Sequence, residues 1–171
     1  MNKKRRESLD ELYRLYAEQL YYYLLKLSGS PTAAEDLVQE TFVRATISLH
    51  QAEGTSARAW LYKVARNVYL DEWRRKKRWS WVSFFHDTQM ISPYGIPDME
   101  MDRVEDNKML AELLYRLPEN YRSIIHLREI EEMNYDEIAE ALDMTEGQVK
   151  VTLHRARKKL QQLGENRKGE W

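Results

Sequence analysis

Hydrophobic positions recur three and four residues apart through most of this chain, with no useful length of strand-like alternation. Leu9, Leu12, Tyr16, Leu20, Tyr23, Leu24 and Leu27 mark one helical face. "SGSP" ends it, because Ser30 before Pro31 has the form of an N-cap followed by proline at the first helical position. The next helix carries Leu37, Val38, Phe42 and Ala45 and fades near His50. "HQAEGTS" reads as a loop. From Ser56 a third helix carries Trp60, Leu61, Val64, Ala65, Val68 and Trp73, and the first three of these are expected in the core.

Residues 81–104 break the pattern with the turn signals of "SPYGIPD", mixed aromatics and then acids. They predict a linker, with a short helix around Val82–Phe85. So long an irregular stretch is uncommon inside one compact domain, which argues for two domains, 1–80 and 105–171. Helical spacing resumes near Arg103 with Leu110, Leu113, Leu114 and Leu117. Pro118 opens another helix with Ile124, Ile125, Leu127 and Ile130. The fold class is all-α: two small helical domains joined by a flexible linker.

The stretch "NYDEIAEALDMTEGQVKVTLHRARKKL" holds two capping-box spacings, Asn134 with Glu137 and Thr145 with Gln148. Helices therefore start near Tyr135 and Glu146, with only "DMT" between them. So short a joint forces a steep crossing, as in a helix-turn-helix. Ile138, Ala139 and Leu142 face Val149 and Leu153, with the small Ala139 at the closest approach.

Charge sharpens this picture. The net charge of −1 hides strong segregation. Residues 58–78 hold eight bases and two acids; 129–146 hold eight acids and no base; 148–160 reverse this with five bases and no acid. Separated basic blocks suit a polyanion bound at specific places. The second helix of the pair presents Lys150, Arg155, Arg157 and Lys158 away from the shared core, as a helix laid in a major groove does.

Several classes drop out. The chain has no cysteine, hence no disulfide and no thiolate chemistry. No apolar run approaches the roughly 18–20 residues of a membrane span. The basic N-terminus lacks the apolar core of a secretory signal. Four histidines are scattered without metal-ligand spacing, and no Gly-rich phosphate loop or nucleophile motif is present. The expectation is a cytoplasmic protein that is not an enzyme, with no cofactor, no metal and no small-molecule substrate.

Four blocks, "AEDLVQETFVRA" (34–45), "AWLYKVARNVYLDEWRRKKR" (59–78), "LPENYRSIIHLREIEEMNYDEIAEALDM" (117–144) and "TEGQVKVTLHRARKKL" (145–160), resemble in order the signature segments of bacterial RNA polymerase sigma factors. The match is to the extracytoplasmic-function (ECF) subfamily of the sigma-70 class, which keeps only sigma domains 2 and 4. The resemblance implies that Asp36, Gln39, Glu40 and Arg44 dock on the β′ clamp helices of core polymerase, while the β flap is a further contact. Asp36 and Glu40, four apart, share a helix face. It implies that Arg66, Asn67, Tyr69, Trp73, Arg74 and Arg75 read and help melt the −10 promoter element, with the charges on the backbone and flat rings against unstacked bases. The "HQAEGTS" loop would complete the pocket for a flipped base.

By the same resemblance Lys150, Val151, His154 and Arg155 read the −35 element, with Arg157 and Lys158 on phosphates. Val151 and Thr152 stand where the family commonly has serine and arginine, and Asp143 where glycine is usual. Many members are inhibited by a membrane-bound anti-sigma factor, which would hold the protein near the membrane. The alternative reading is a stand-alone helix-turn-helix regulator. That class needs neither the 34–45 block nor the basic 58–78 helix.

Overall fold

The computed structural model describes residues 3–52, 54, 56–82 and 101–169, with side chains from Ser8 to Trp79 and from Lys108 onward. All the regular structure among them is helical, in two compact units divided at residues 92 and 93.

The first unit contains α1 (Lys3–Ser28), α2 (Pro31–Ser48), a 3₁₀ turn (Leu49–Ala52) and α3 (Ala57–Val82). Gly29 breaks α1 with a φ of 70°, a left-handed conformation that costs glycine nothing. Ser30 Oγ then accepts the backbone N–H of Ala33 at 3.3 Å and starts α2. Inside the three-helix packing lie Leu20, Tyr23, Leu24 and Leu27 of α1, Ala34, Leu37 and Ala45 of α2, and Trp60, Leu61, Tyr62, Ala65 and Val68 of α3. The rings of Tyr23 and Tyr62 meet at 5.2 Å. Thr41 is fully buried, its hydroxyl satisfied by the Leu37 carbonyl at 2.6 Å. Val64, expected in the core, is only half-buried, while Tyr62 is fully inside.

The second unit contains α4 (Met101–Tyr115), α5 (Glu119–Ile125), a single π-helical turn (His126–Ile130), α6 (Tyr135–Leu142) and α7 (Glu146–Lys168). The π turn is closed by the Glu131 N–H on the His126 carbonyl at 3.1 Å. The side chains repeat the link: His126 Nε2 lies 3.1 Å from Glu131 Oε1, with both groups nearly enclosed. Glu132 then takes a left-handed φ of 52°, and the Met133 N–H reaches back to the Leu127 carbonyl at 3.0 Å. That six-to-one bond, with Leu127 and Met133 both fully buried, is a Schellman-type helix stop.

Two expected core positions lie elsewhere. Ile130 is 50% exposed and Leu110 46% exposed. Ile130 falls at the end of the π turn, where the wider winding displaces it from the α-helical stripe of Ile124 and Leu127. His126 takes the buried place instead. At the domain edges, α3 runs to Val82 and α4 begins at Met101, so both reach into the expected linker. The remainder of that linker, including most of the short helix expected around Val82–Phe85, lies outside the described residues.

Candidate DNA-reading and docking surfaces

The helix-turn-helix is built by its caps. Asn134 Oδ1 accepts the Glu137 N–H at 2.9 Å, and Glu137 accepts the Asn134 N–H at 3.2 Å. Thr145 and Gln148 repeat the exchange at 3.2 and 2.8 Å. Between them Asp143 adopts a left-handed φ of 54°, and the Met144 N–H bonds the Ala139 carbonyl at 2.9 Å. Aspartate thus fills the position where glycine is usual, as its tolerance of that conformation permits. Ile138 and Leu142 pack with Val149 and Leu153. The small residues at the contact are Ala141 and Ala156, both essentially buried, whereas Ala139 is only half-buried.

Residues of α7 advance by about 100° each. With Val149, Leu153 and Ala156 facing inward, Val151, His154, Arg155 and Lys158 share the outward face. Val151 and Arg155 also border an open groove of about 650 Å³, whose other walls include Leu142, Asp143, Met144 and Gln148. Lys150 and Arg157 occupy the flank turned toward the π turn and the start of α6. Lys150 Nζ lies 5.8 Å from the ring of Tyr135, and the Arg128 guanidinium 5.2 Å from the same ring. Arg128 also donates to the Met133 carbonyl at 2.8 Å. Arg157 is bonded to Glu129, its Nε at 2.9 Å. Neither Arg128 nor Tyr135 was expected here; a lone arginine before an acidic run gives no local sign of it.

On α3, Asn67, Arg74 and Arg75 are exposed and Arg66 half-exposed. Trp73 is 49% exposed, with Lys77 Nζ 4.9 Å from its ring. Every residue from Trp73 to Trp79 is exposed, five of the seven being cations. Arg74 approaches Asp71 at 3.5 Å, and Arg75 pairs with Glu72 at 2.7 Å. Tyr69 departs from expectation. It is only 8% exposed, because it continues the inward stripe of Tyr62 and Ala65, so its ring is not offered to a base in this conformation. Ser56 caps α3 through the Ala59 N–H at 3.3 Å. Glu53 and Thr55 of the preceding loop lie outside the described residues.

On α2, Asp36, Gln39 and Glu40 are exposed along one face. Val43 and Ile47, 56% and 76% exposed, continue it toward the C-terminus. Arg44 turns instead toward α3: Nη1 sits 2.6 Å from Asp71 and Nε 2.9 Å from Glu40. These two carboxylates, Asp71 foremost, hold its pKa above the ordinary arginine value. Arg44 therefore braces two helices and is not displayed with the other three.

Comparison with known proteins gives this geometry its context. Residues 12–79 match the family model described as Sigma-70 region 2, and residues 107–160 that described as Sigma-70, region 4. The ECF RNA polymerase sigma factor SigM of Bacillus subtilis is 33% identical over 157 residues, covering 91% of this chain and 94% of SigM. The chain belongs to the ECF group of the sigma-70 family. The sigma factor YlaC of the same organism is also 33% identical, over 92% of each chain. Sigma factor RpoE from Bartonella quintana, solved in complex with the anti-sigma factor NepR, has the same fold, with a TM-score of 0.74 over 93% of this chain and 98% of RpoE at 24% identity. CnrH, solved with the cytosolic domain of CnrY, gives a TM-score of 0.68 over 94% of this chain and 90% of its own, also at 24% identity.

This sigma factor directs transcription initiation, and its family points to a regulatory protein, not a catalyst. Both matched regions are present, which a stand-alone helix-turn-helix regulator does not require. Among the described residues no helix is long and apolar enough to cross a membrane.

Proposed function

We propose that this sigma factor docks on the β′ clamp helices of core RNA polymerase through the face of α2 bearing Asp36, Gln39 and Glu40, and reads two promoter elements with α3 and α7. The observation that carries the reading is the pairing, on one chain, of an acidic exposed helix face with two separate cationic helix surfaces. A docking helix needs carboxylates for partner cations, and a promoter reader needs cations for phosphates. Arg44 supports the docking face from behind by bracing α2 on α3.

In α3, Arg66, Asn67, Arg74 and Arg75 serve the −10 element, and the half-exposed Trp73 supplies the flat face for an unstacked base. Such stacking contributes about 1–3 kcal/mol per base. Tyr69 supports the helix from inside. In α7, Val151, His154 and Arg155 face the −35 base edges. An arginine suits guanine and a valine methyl suits thymine. Lys150, Arg157 and Lys158 bind the backbone alongside, and Arg128 with Tyr135 extends that flank. The second unit also meets the β flap.

An anti-sigma factor, membrane-bound in the arrangement common to this family, fits as the inhibitor that keeps the protein off cytoplasmic polymerase. The complexes of RpoE with NepR and of CnrH with CnrY support it. The deciding experiment combines the purified full chain with core polymerase and genomic DNA and maps transcript start sites. Initiation from a set of sites sharing two spaced elements is the expected result. Start sites unchanged from core alone would end the proposal.

A further inference from the structure

The π turn is the base on which Glu129 stands, and Glu129 is 28 residues away in sequence from the arginine it holds. Arg157 gives two N–H groups to one oxygen, Nε and Nη2 both meeting Glu129 Oε1. That edge-on grip leaves Nη1 of the guanidinium outside the pair. Both side chains are about half exposed, so the free edge has room for a ligand. The platform beneath is fixed twice at its end, by the Glu131–His126 backbone bond and by the His126–Glu131 side-chain pair. By contrast, neither Arg155 nor Lys158 on the outward face has an ion-pair partner among the described residues.

We infer that Glu129 is a positioning residue for promoter binding: it holds Arg157 by one edge and presents the other edge to a DNA phosphate beside the −35 element. This rests on the reading of α7 as the −35 helix. An arginine on a free stem loses rotamer entropy when it meets a phosphate, and one already held loses less. The cost of the arrangement is a carboxylate near the DNA, which repels the phosphate. The grip and the charge therefore act in opposite directions, and two substitutions separate them. Glu129→Gln removes the charge but keeps an oxygen that accepts both N–H groups. Glu129→Ala removes charge and acceptor together.

The test measures the full chain in complex with core polymerase on fluorescein-labelled duplexes. The duplexes carry a −35 sequence taken from start-site mapping and its single-base variants. Glu129→Gln should bind at least as tightly as the unaltered chain. Glu129→Ala should bind about two- to tenfold more weakly than Glu129→Gln, by the same factor on every −35 variant, since a phosphate contact carries no sequence information. Arg157→Lys, which keeps the charge but has no edge to grip, should fall with Glu129→Ala. In an Arg157→Ala background the difference between the two Glu129 variants should vanish.

Equal binding by Glu129→Ala and Glu129→Gln would overturn the inference and leave only a charge effect. A difference that persists in the Arg157→Ala background would also overturn it, pointing to a general change in the π turn. Absence of promoter-directed initiation by the unaltered chain would remove the underlying reading, and the inference with it. The first two failures leave that reading standing.

Discussion

The guanidinium of Arg44 on α2 lies 2.6 Å from the carboxylate of Asp71 on α3. It joins the helix assigned to polymerase to the helix assigned to DNA. Because the pair is about half exposed, it contributes at most about 1 kcal/mol to stability. Arg44→Ala should therefore lower the melting temperature of the first unit by a few degrees, read by circular dichroism, and weaken core binding only slightly. A loss of core affinity as large as that of a charge reversal on the exposed face would return Arg44 to the docking set.

Asp36 and Glu40 define that reversal. Replacing both by lysine places two cations where partner cations should sit. Juxtaposed like charges cost several kcal/mol at an interface, so core association should drop below detection in a pull-down or by fluorescence anisotropy. The fold should persist, since both side chains are exposed. Unaltered core affinity would refute the docking assignment.

Arg155 stands on the outward face of α7 and should discriminate between bases. Arg155→Ala should cost about 1–3 kcal/mol at one −35 position and far less elsewhere. Affinities across a single-base promoter series give the answer. A uniform loss, together with a shallower salt dependence, would make it a phosphate contact like Arg157.

Asp143 occupies a left-handed backbone position without being glycine. Asp143→Gly removes the steric cost and should stabilise the second unit by up to about 1 kcal/mol. Asp143→Val should destabilise it, because a β-branched residue resists that conformation. Thermal unfolding of the two variants should move in opposite directions; movement in the same direction would contradict the assignment of the turn.

Much of this architecture is legible before any coordinates. Ser30–Pro31, Asn134–Glu137 and Thr145–Gln148 each carry their helix start in a local spacing, and the caps form there. The stripe of α1 is likewise local. What escapes is whatever depends on a partner distant in sequence. Arg44 belongs by spacing with Asp36 and Glu40, but Asp71 lies 27 residues on and draws it aside. Tyr69 looks like a stacking ring by its residue type, yet it extends the buried stripe of Tyr62 and Ala65. Ala139 and Ala141 are equally small, and only the crossing geometry chooses Ala141. Ile130 reads as core under a 3.6-residue period, which the π turn interrupts.

That interruption has a mechanical meaning. A π turn spends one more residue than an ordinary helical winding to cover the same arc. Deleting a single residue between His126 and Ile130 would swing everything downstream by about 100° around the α5 axis. The bearing of the reading helix, and with it which strand of a promoter it can face, is set by one surplus amino acid.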